Sequence, residues 1–436
     1  MPNLNPNSTN YFHSHEPNTN DLVQAMDYDP YGAPVLRIDD TTKQHTSKNR
    51  VKVSTYEVTD FVSYINGKHA DIFDELVTGT ASSTLDTYLG MVKLEVGGTA
   101  GDSITRQTKR VQRYIPGRQN EVSMSLVFGT PTTGIRRRFG LFNDENGAFF
   151  EDGGDGTYYV CTRRNTAGGV VETRVAREDW SEDKLDGTGP SGITADPEAI
   201  QLMVIEYEWY GAGQVEFKFV IDNNSYPVHK FNHANRQPTS WASRAALPVR
   251  TELTNVAGTA GTHTLYQGSH SFATEGRTEI LGRQLSVSSP TAGKSTGNTA
   301  NVFTPVVAIR LKSTALNSVV IPDVFSGATL DNTSIFIRVL EGATVTGGTW
   351  VDYGTDSAVE YNLTATSFTG GNTVETLYVS SGNMGTQFQF AERSLTQLQR
   401  STTTTLGDTA VTFLIAIACT QANKTAWASL GWIEVR

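Results

Sequence analysis

Acidic residues interleaved with aromatic rings are the first feature of this sequence that could support chemistry. The stretch FGLFNDENGAFFEDGGDGTYYVCTRR, residues 139–164, sets Asp, Glu and Asn among four Phe and two Tyr. Clustered oxygen ligands suit Ca²⁺, which makes Asp152 and Asp155 weak metal candidates. Neither NDENG nor EDGGDG has the spacing of an EF-hand loop. Both end in the Asn/Asp–Gly pair of tight hairpins, where φ is positive, so the pattern favours turns.

If this stretch forms three short strands, period-two alternation predicts which side chains face the core. The predicted inward positions are Leu141, Phe149, Tyr159 and Cys161, and Phe150 competes with Phe149 for the same role. Cys161 and the distant Cys419 both lie in apolar runs, so we expect two buried, reduced thiols.

A second pair of carboxylates, Glu206 and Glu208, lies two residues apart in a predicted strand and therefore on one face. Two carboxylates that flank a glycosidic bond can act as acid and base. The same pattern arises when a strand alternates an apolar and a charged face, and Ile205, Tyr207 and Trp209 alternate with the two glutamates. The sequence therefore predicts a solvated charged face here.

Two further groups have a weaker signal. His13 and His15 form an H-x-H whose imidazoles point to one side of an extended chain, where they could hold a metal on a trimer axis. The run 136–138 is Arg-Arg-Arg, predicted to be an outward face or an intersubunit salt-bridge group, with a phosphate or sugar contact as the alternative. The sequence contains no P-loop, G-x-S-x-G or H-E-x-x-H motif. No catalytic residue and no cofactor is predicted.

Composition narrows the class of protein. The 436 residues carry a net charge of −10, which argues against nucleic-acid binding through the phosphate backbone. The 40 glycines, with many Thr, Ser and Asn, favour strands joined by turns. The N-terminus has no apolar signal-peptide core, and VTFLIAIA (411–418) is too short to span a bilayer. We expect synthesis in the cytoplasm and no membrane insertion.

The chain divides by pattern into an arm and two β domains. Residues 1–50 are polar and aperiodic, which predicts an extended arm lying on a neighbouring subunit or partner, or folded back on its own domain. Alternating runs from residue 51 predict an antiparallel β-sandwich over 51–287, followed by a flexible linker at 288–301. A second β-sandwich is predicted over 302–436. Short helices are predicted at 181–187, 196–200 and 391–401.

The strand pattern of the central domain is similar to the concanavalin/laminin-G type of jelly roll. The hairpin IQLMVIEYEWYGAGQVEFKFVID with its following NNS turn carries that similarity. It raises the idea of a sugar-binding face, because aromatic rings stack on sugars, and Tyr158, Tyr159, Trp209 and Tyr210 are the candidates. The alternative is that these rings fill the sandwich core.

A longer series of motifs resembles one family over about residues 105–365. The motifs are VQRYIPGRQNEVSMS, RRRFGLFNDENGAFFEDGGDGTYYVCTRR, VAREDWSEDKLDGTGPSG, IEYEWYGAGQVEFKFVIDNNSYPVHKFNHAN, LPVRTELTN and PVVAIRLK. They resemble virion structural proteins of tailed bacteriophages, a family common in phages of marine bacteria and cyanobacteria. The resemblance implies a tail, baseplate or fibre component and not an enzyme, located in the virion.

That resemblance sets the expected partners. We expect a homo-oligomer, with a trimer favoured, that docks on other virion proteins through the N-terminal arm and meets a host surface glycan. A head decoration or head-fibre protein, a receptor-binding lectin module and a polysaccharide depolymerase are the alternatives.

Overall fold

The computed structural model describes residues 24–28, 34–38, 56–276, 282–380, 386–389, 397–401 and 406–435. Two compact units divide the chain, residues 1–54 and residues 55–436. In the first unit, strands β1 (Gln24–Tyr28) and β2 (Pro34–Ile38) pair antiparallel. The predicted metal candidates His13 and His15 lie outside the described residues.

The second unit begins with two antiparallel sheets that pack around a shared core, because alternate residues of each strand are apolar. The seven-stranded sheet has the order β12 (Gly169–Ala176), β11 (Tyr158–Thr166), β10 (Gly147–Asp152), β9 (Ile135–Phe142), β16 (Val249–Asn255), β7 (Ser103–Thr108), β4 (Phe73–Thr78). The eight-stranded sheet has the order β15 (Asn224–Phe231), β14 (Val215–Ile221), β13 (Gln201–Tyr207), β8 (Asn120–Val127), β17 (His263–Glu275), β6 (Met91–Val96), β5 (Ser82–Asp86), with β3 (Tyr56–Val62) paired to β17.

A second pair of sheets follows in sequence and encloses its own core. The six-stranded sheet has the order β24 (Val351–Asp352), β25 (Val359–Asn362), β20 (Thr304–Leu311), β31 (Phe413–Cys419), β22 (Ile335–Glu341), β27 (Asn372–Val379). The five-stranded sheet has the order β18 (Arg283–Ser288), β32 (Thr425–Glu434), β21 (Val320–Ala328), β28 (Thr386–Gln389), with β19 (Lys294–Ser295) paired to β32. Two small pairs are β23 (Thr344–Thr346) with β26 (Ser367–Thr369), and β29 (Arg400–Ser401) with β30 (Thr409–Ala410).

The predicted all-β fold of antiparallel sandwiches is confirmed. The domain limits near residues 51, 288 and 302 stay predictions. No helix among the described residues is long and apolar enough to span a membrane.

The helices predicted at 181–187 and 196–200 are absent, and the described residues contain only two 3₁₀ turns, Arg177–Asp179 and Ser313–Ala315. Asp183 accepts hydrogen bonds from the Leu185 and Ser191 amides, at 2.8 and 2.7 Å, and so holds a loop. Aspartate caps turns as readily as helices, which explains both errors. Residues 391–396 of the third predicted helix lie outside the described residues, and its last two residues form β29.

Phe150 lies at the centre of the first core. Its ring stacks on Phe139 at 5.3 Å between centroids and meets the edges of Phe217 at 5.0 Å and Phe219 at 5.5 Å. Phe139 and Phe150 come from the seven-stranded sheet, whereas Phe217 and Phe219 come from the eight-stranded sheet. Edge-to-face contacts of this kind add to the free energy of burial, so this cluster joins the two layers.

The antiparallel register corrects the predicted inward positions. Leu141 lies opposite Ala148 and Phe150 opposite Phe139, so Phe150 and Leu141 face the core together. Phe149, Tyr159 and Cys161 were predicted to face inward but belong to a separate apolar cluster with Phe142. Period-two alternation identifies which residues share a face, but the predicted set mixed the two faces.

The acidic turns of this stretch are closed by their own side chains. The Asn143 carboxamide oxygen accepts hydrogen bonds from the amides of Glu145 at 3.0 Å and Asn146 at 2.8 Å. Asp152 accepts one from the Gly154 amide at 3.2 Å, and Asp155 accepts one from the Thr157 amide at 3.0 Å. The oxygens therefore act as turn caps.

We expect Gly147→Ala to destabilise the central sandwich by about 2 kcal/mol or more, measured by urea unfolding. Gly147 has φ of 150°, and a Cβ there would lie 2.0 Å from the Cβ of Phe142. The matched control is Gly156→Ala, where φ is 89° but nothing lies within 4 Å of the added atom. That variant should lose only about 1 kcal/mol. Equal losses would show that the close approach is unimportant.

A buried polar cluster lies around Arg106. The Arg106 guanidinium donates to the Glu75 carboxylate at 2.9 Å, to the Tyr64 hydroxyl at 2.8 Å and to the Gln267 carboxamide oxygen at 3.1 Å. His270 is only 3% exposed, and neither ring nitrogen has a hydrogen-bond partner among the described residues. Burial lowers the pKa of His270 from 6.5 to about 4. The charge of Asp60 raises this pKa, and the charge of Arg106 lowers it further.

We expect His270 to make the free energy of unfolding depend on pH. In the unfolded chain His270 takes up a proton near pH 6.5, whereas in the folded protein it stays neutral to about pH 4. Its stabilising contribution is complete above pH 6.5 and is lost as the pH falls through this window. Urea unfolding of His270→Leu should therefore show about 2 kcal/mol less loss of stability between pH 7 and pH 4.5 than the parent protein.

The control is His263→Gln, because His263 is partly exposed and its Nε2 lies 3.2 Å from the Ala260 carbonyl oxygen. An unchanged pH dependence in His270→Leu would contradict the assignment.

Candidate functional site

The four aromatic residues proposed to contact sugar lie at two ends of the central sandwich. Tyr158 and Tyr159 begin β11, and Tyr158 lines a cleft with Gln201 at the start of β13. Trp209 and Tyr210 follow the end of β13. Since β13 has seven residues, about 20 Å separates the two pairs. The two residues of each pair are neighbours in the sequence. The structure does not join the two pairs into one surface.

Tyr158 faces the core side of its sheet and lines an apolar cleft. The wall also contains Phe128, Phe150, Trp180 and Phe219. The cavity volume of this cleft is only about 30 Å³. A space of that size holds about one water molecule and excludes a sugar ring. Burial raises the pKa of the Tyr158 phenol, as expected for a ring that packs on the core.

Tyr159 lies on the opposite face of the same strand. Its hydroxyl donates to the Asp155 carboxylate at 2.7 Å, and this bond is the main reason that the pKa of Tyr159 is raised. The Arg174 guanidinium stacks 3.9 Å from the ring centroid. Arg174 therefore covers one face of Tyr159, and Asp155 fixes its hydroxyl.

Trp209 and Tyr210 form a small aromatic rim with Tyr114. The Trp209 indole donates to the Ala242 carbonyl oxygen at 2.8 Å, and its ring meets Tyr114 edge to face at 6.0 Å. The Tyr114 hydroxyl accepts a hydrogen bond from the Tyr210 amide at 3.0 Å. Tyr210 is 50% exposed, whereas Trp209 is half-buried against the core. Of the four predicted residues, Tyr210 presents the most accessible ring.

The predicted solvated face of Glu206 and Glu208 is wrong. These side chains are only 4% and 2% exposed. Glu206 lies opposite Glu121 on β8 and Glu216 on β14, so three glutamates form a row across three strands. Alternation predicted correctly that the pair shares a face, but it does not reveal whether that face meets water.

A buried lysine pairs with two glutamates of this row, Glu206 and Glu216. The Lys218 ammonium lies 2.8 Å from the Glu206 carboxylate and 3.1 Å from that of Glu216. The second oxygen of Glu206 accepts a hydrogen bond from the Gln119 carboxamide. Burial alone lowers the pKa of Lys218, but the two carboxylates outweigh it and hold the pKa above its ordinary value. Both oxygens of Glu206 are thus occupied, which is the geometry of a structural ion pair.

Alternation along β9 places Arg137 on the core side of the sheet and Arg136 and Arg138 on its outer side. Arg137 is 3% exposed and pairs with Asp152 at 2.5 Å, and Arg138 is 7% exposed and pairs with Glu151. Burial of Arg137 and Arg138 requires neutralisation within the sheet, whereas the sequence predicted an outward face or an intersubunit salt-bridge group. Asp152, a proposed calcium ligand, is an ion-pair partner here.

The ion pairs continue across the outer face of the seven-stranded sheet. Glu151 also pairs with Arg174, and Glu172 pairs with Arg163 at 2.5 Å and with Arg138 at 3.3 Å. We call this set the arginine–glutamate ladder. A sequence signal existed in β12, where Glu172 and Arg174 lie at alternate positions, but the partners of these side chains are known only from the register. Within the described ranges, no group of three His, Cys, Asp or Glu side chains could hold a metal ion.

The comparisons with known proteins report only a distant similarity in the arrangement of strands. No protein-family model and no curated protein matches the chain. An endo-β-1,4-glucuronan lyase from Trichoderma reesei is 9% identical with a TM-score of 0.34, over 51% of this chain and 96% of the lyase. A Bacillus licheniformis β-glucanase is 12% identical with a TM-score of 0.32, over 52% and 98%. The Emp47p carbohydrate recognition domain is 10% identical with a TM-score of 0.31, over 52% and 100%. At such identities and scores no activity or residue role transfers to this chain.

We expect Lys218→Met to destabilise the protein by about 3–5 kcal/mol in urea unfolding, because it removes the buried cation between two glutamates. The matched control is Lys93→Met. Lys93 pairs with Glu95 at 2.7 Å, but the two side chains are 29% and 23% exposed. That pair should be worth about 1 kcal/mol or less. A Lys218→Met variant as stable as the control would rule out the structural role of the ion pair.

Proposed function

We propose that this chain is a non-enzymatic structural component of a tailed-bacteriophage particle, in the tail, baseplate or fibre, and that it contacts a host surface glycan. The motif series over about residues 105–365 supports the phage assignment by its resemblance to virion structural proteins. The polar, aperiodic sequence of residues 1–50 supports docking on another virion protein. Assembly as a trimer belongs to the same proposal.

The observation that carries the non-enzymatic part is the state of the buried carboxylates. A glycosidase needs one carboxyl group that gives up a proton and one carboxylate that reaches the sugar or a water molecule. Glu206 is engaged by Lys218 and Gln119, and Glu151 is engaged by Arg138 and Arg174. Groups held this way stabilise the sheets, and they offer no acid–base pair to a substrate.

The glycan contact is supported by the similarity of the strand pattern to concanavalin/laminin-G jelly rolls and by accessible aromatic rings. The Tyr210 ring is half exposed beside Trp209 and Tyr114 on the rim of the central sandwich. Aromatic rings bind sugars through their flat faces, and such binding requires no catalytic group.

One experiment tests both parts of this proposal. The purified protein is incubated with polysaccharide from the host envelope, and reducing ends are measured alongside a Glu206→Gln variant. We expect no release from either protein, binding of the parent protein to a glycan array, and co-purification of the chain with intact particles. Release of reducing ends that Glu206→Gln abolishes would show an enzyme. Absence of the chain from purified particles would contradict the structural role.

A further inference from the structure

The outer face of the six-stranded sheet carries a row of aromatic and guanidinium groups outside the sites described above. Phe336 lies opposite Tyr378, and Arg338 opposite Thr376, on the adjacent strands β22 and β27. Ile335 and Ile337, which alternate with these residues, are fully buried in the second core. Phe336, Arg338, Thr376 and Tyr378 therefore share the face that points away from that core.

Tyr378 is the most exposed part of this row. Its side chain is 73% exposed, and its ring meets the half-buried Phe336 edge to face at 5.1 Å. Among the described strands β27 is the last of this sheet, so no described strand pairs with its outer edge. Phe336 supports one edge of the Tyr378 ring and leaves much of its surface accessible to a ligand.

Arg338 lies next to the exposed ring and is held in place by Phe303. Its guanidinium carbon lies 4.1 Å from the Phe303 ring centroid. Within the described ranges, no carboxylate lies within ion-pair distance of Arg338. Arg138 and Arg163 of the arginine–glutamate ladder, in contrast, are each neutralised by a glutamate. Arg338 is thus a positioned cation whose charge is available to a bound anion.

These groups suit one occupant, a sugar ring that bears a carboxylate. Arg338 and Tyr378 are diagonal neighbours on adjacent strands, with about 7 Å between them. A hexuronate can lay its C–H face on Tyr378 while the planar guanidinium of Arg338 binds its carboxylate through two hydrogen bonds. We propose that this face, the Tyr378–Arg338 patch, binds uronate-containing glycans, an inference that rests on the glycan contact proposed above.

A second copy of the chain fits the patch less well. A stable protein interface needs about 800 Å² on each partner. The outer-face residues beyond the row are small or already covered, since Ala416 and Ala418 on β31 are fully buried. One exposed ring beside one cation provides a contact of the size of a single sugar residue.

Calorimetric titration with an oligogalacturonate tests this inference, with dextran as the neutral comparison. We expect saturable binding of the oligogalacturonate alone. Tyr378→Ala and Arg338→Gln should each weaken that binding by about tenfold or more, because each removes one of the two contacts. The controls are Tyr88→Ala, at a fully exposed tyrosine of the β5–β6 turn, and Arg283→Gln, at an exposed arginine of β18. Neither control should change the affinity.

The outcomes separate this inference from the broader proposal. Binding that persists unchanged in Tyr378→Ala and Arg338→Gln would overturn the assignment of the patch and leave a glycan contact elsewhere on the chain. Equal binding of dextran would overturn the uronate assignment. A change of oligomeric mass in Tyr378→Ala, read by light scattering, would show that the patch joins copies of the chain and would also overturn the inference. Particle co-purification depends on none of these results.

Discussion

Charge that is removed from water must be neutralised where it lies, and the central sandwich depends on this constraint on both of its sheets. In the seven-stranded sheet, Arg138 is held against Glu151, and in the eight-stranded sheet Lys218 is held between Glu206 and Glu216. A shift of register by one residue would exchange the core face with the charged face of a strand. It would place unpaired charges in the core at the same time as it removed Phe150 from the core. The ion pairs therefore reinforce the register that the apolar core selects, and the two requirements exclude the same alternative pairings.

Much of the fold could be predicted from the sequence because strands and turns are encoded locally. The β-branched alternation and the Asn/Asp–Gly pairs predict the hairpins of residues 139–164, and their turns are capped by Asn143, Asp152 and Asp155. The errors share one physical cause. Alternation states which residues lie on the same face, whereas the covering of a face depends on segments that are distant in sequence. For that reason Glu206 was predicted to be solvated, and Phe149 was placed in the first core.

The functional surface was harder to predict than the fold. The aromatic residues Tyr158 and Trp209 are prominent in the sequence, but about 20 Å of strand separates them, and both rings are committed to packing. Phe336 and Tyr378 are 42 positions apart and have no motif in common, yet β22 and β27 place them side by side. Contacts of this kind follow from strand pairing, which local residue preference does not specify. Candidate residues chosen from single stretches of sequence therefore lie more often at the ends of hairpins than on the flat faces of sheets.

The two cysteines lie in separate apolar clusters, and this location determines when each thiol can react. Cys161 belongs to the outer cluster of Phe142 and Phe149, and Cys419 belongs to the second core. Burial raises the pKa of both thiols, so neither reacts readily while its surroundings stay closed. Each thiol becomes reactive only when its own cluster opens, and the two clusters belong to separate sheets. The chain thus contains two native probes that distinguish loosening of the central sandwich from loosening of the C-terminal sandwich, without any label being introduced.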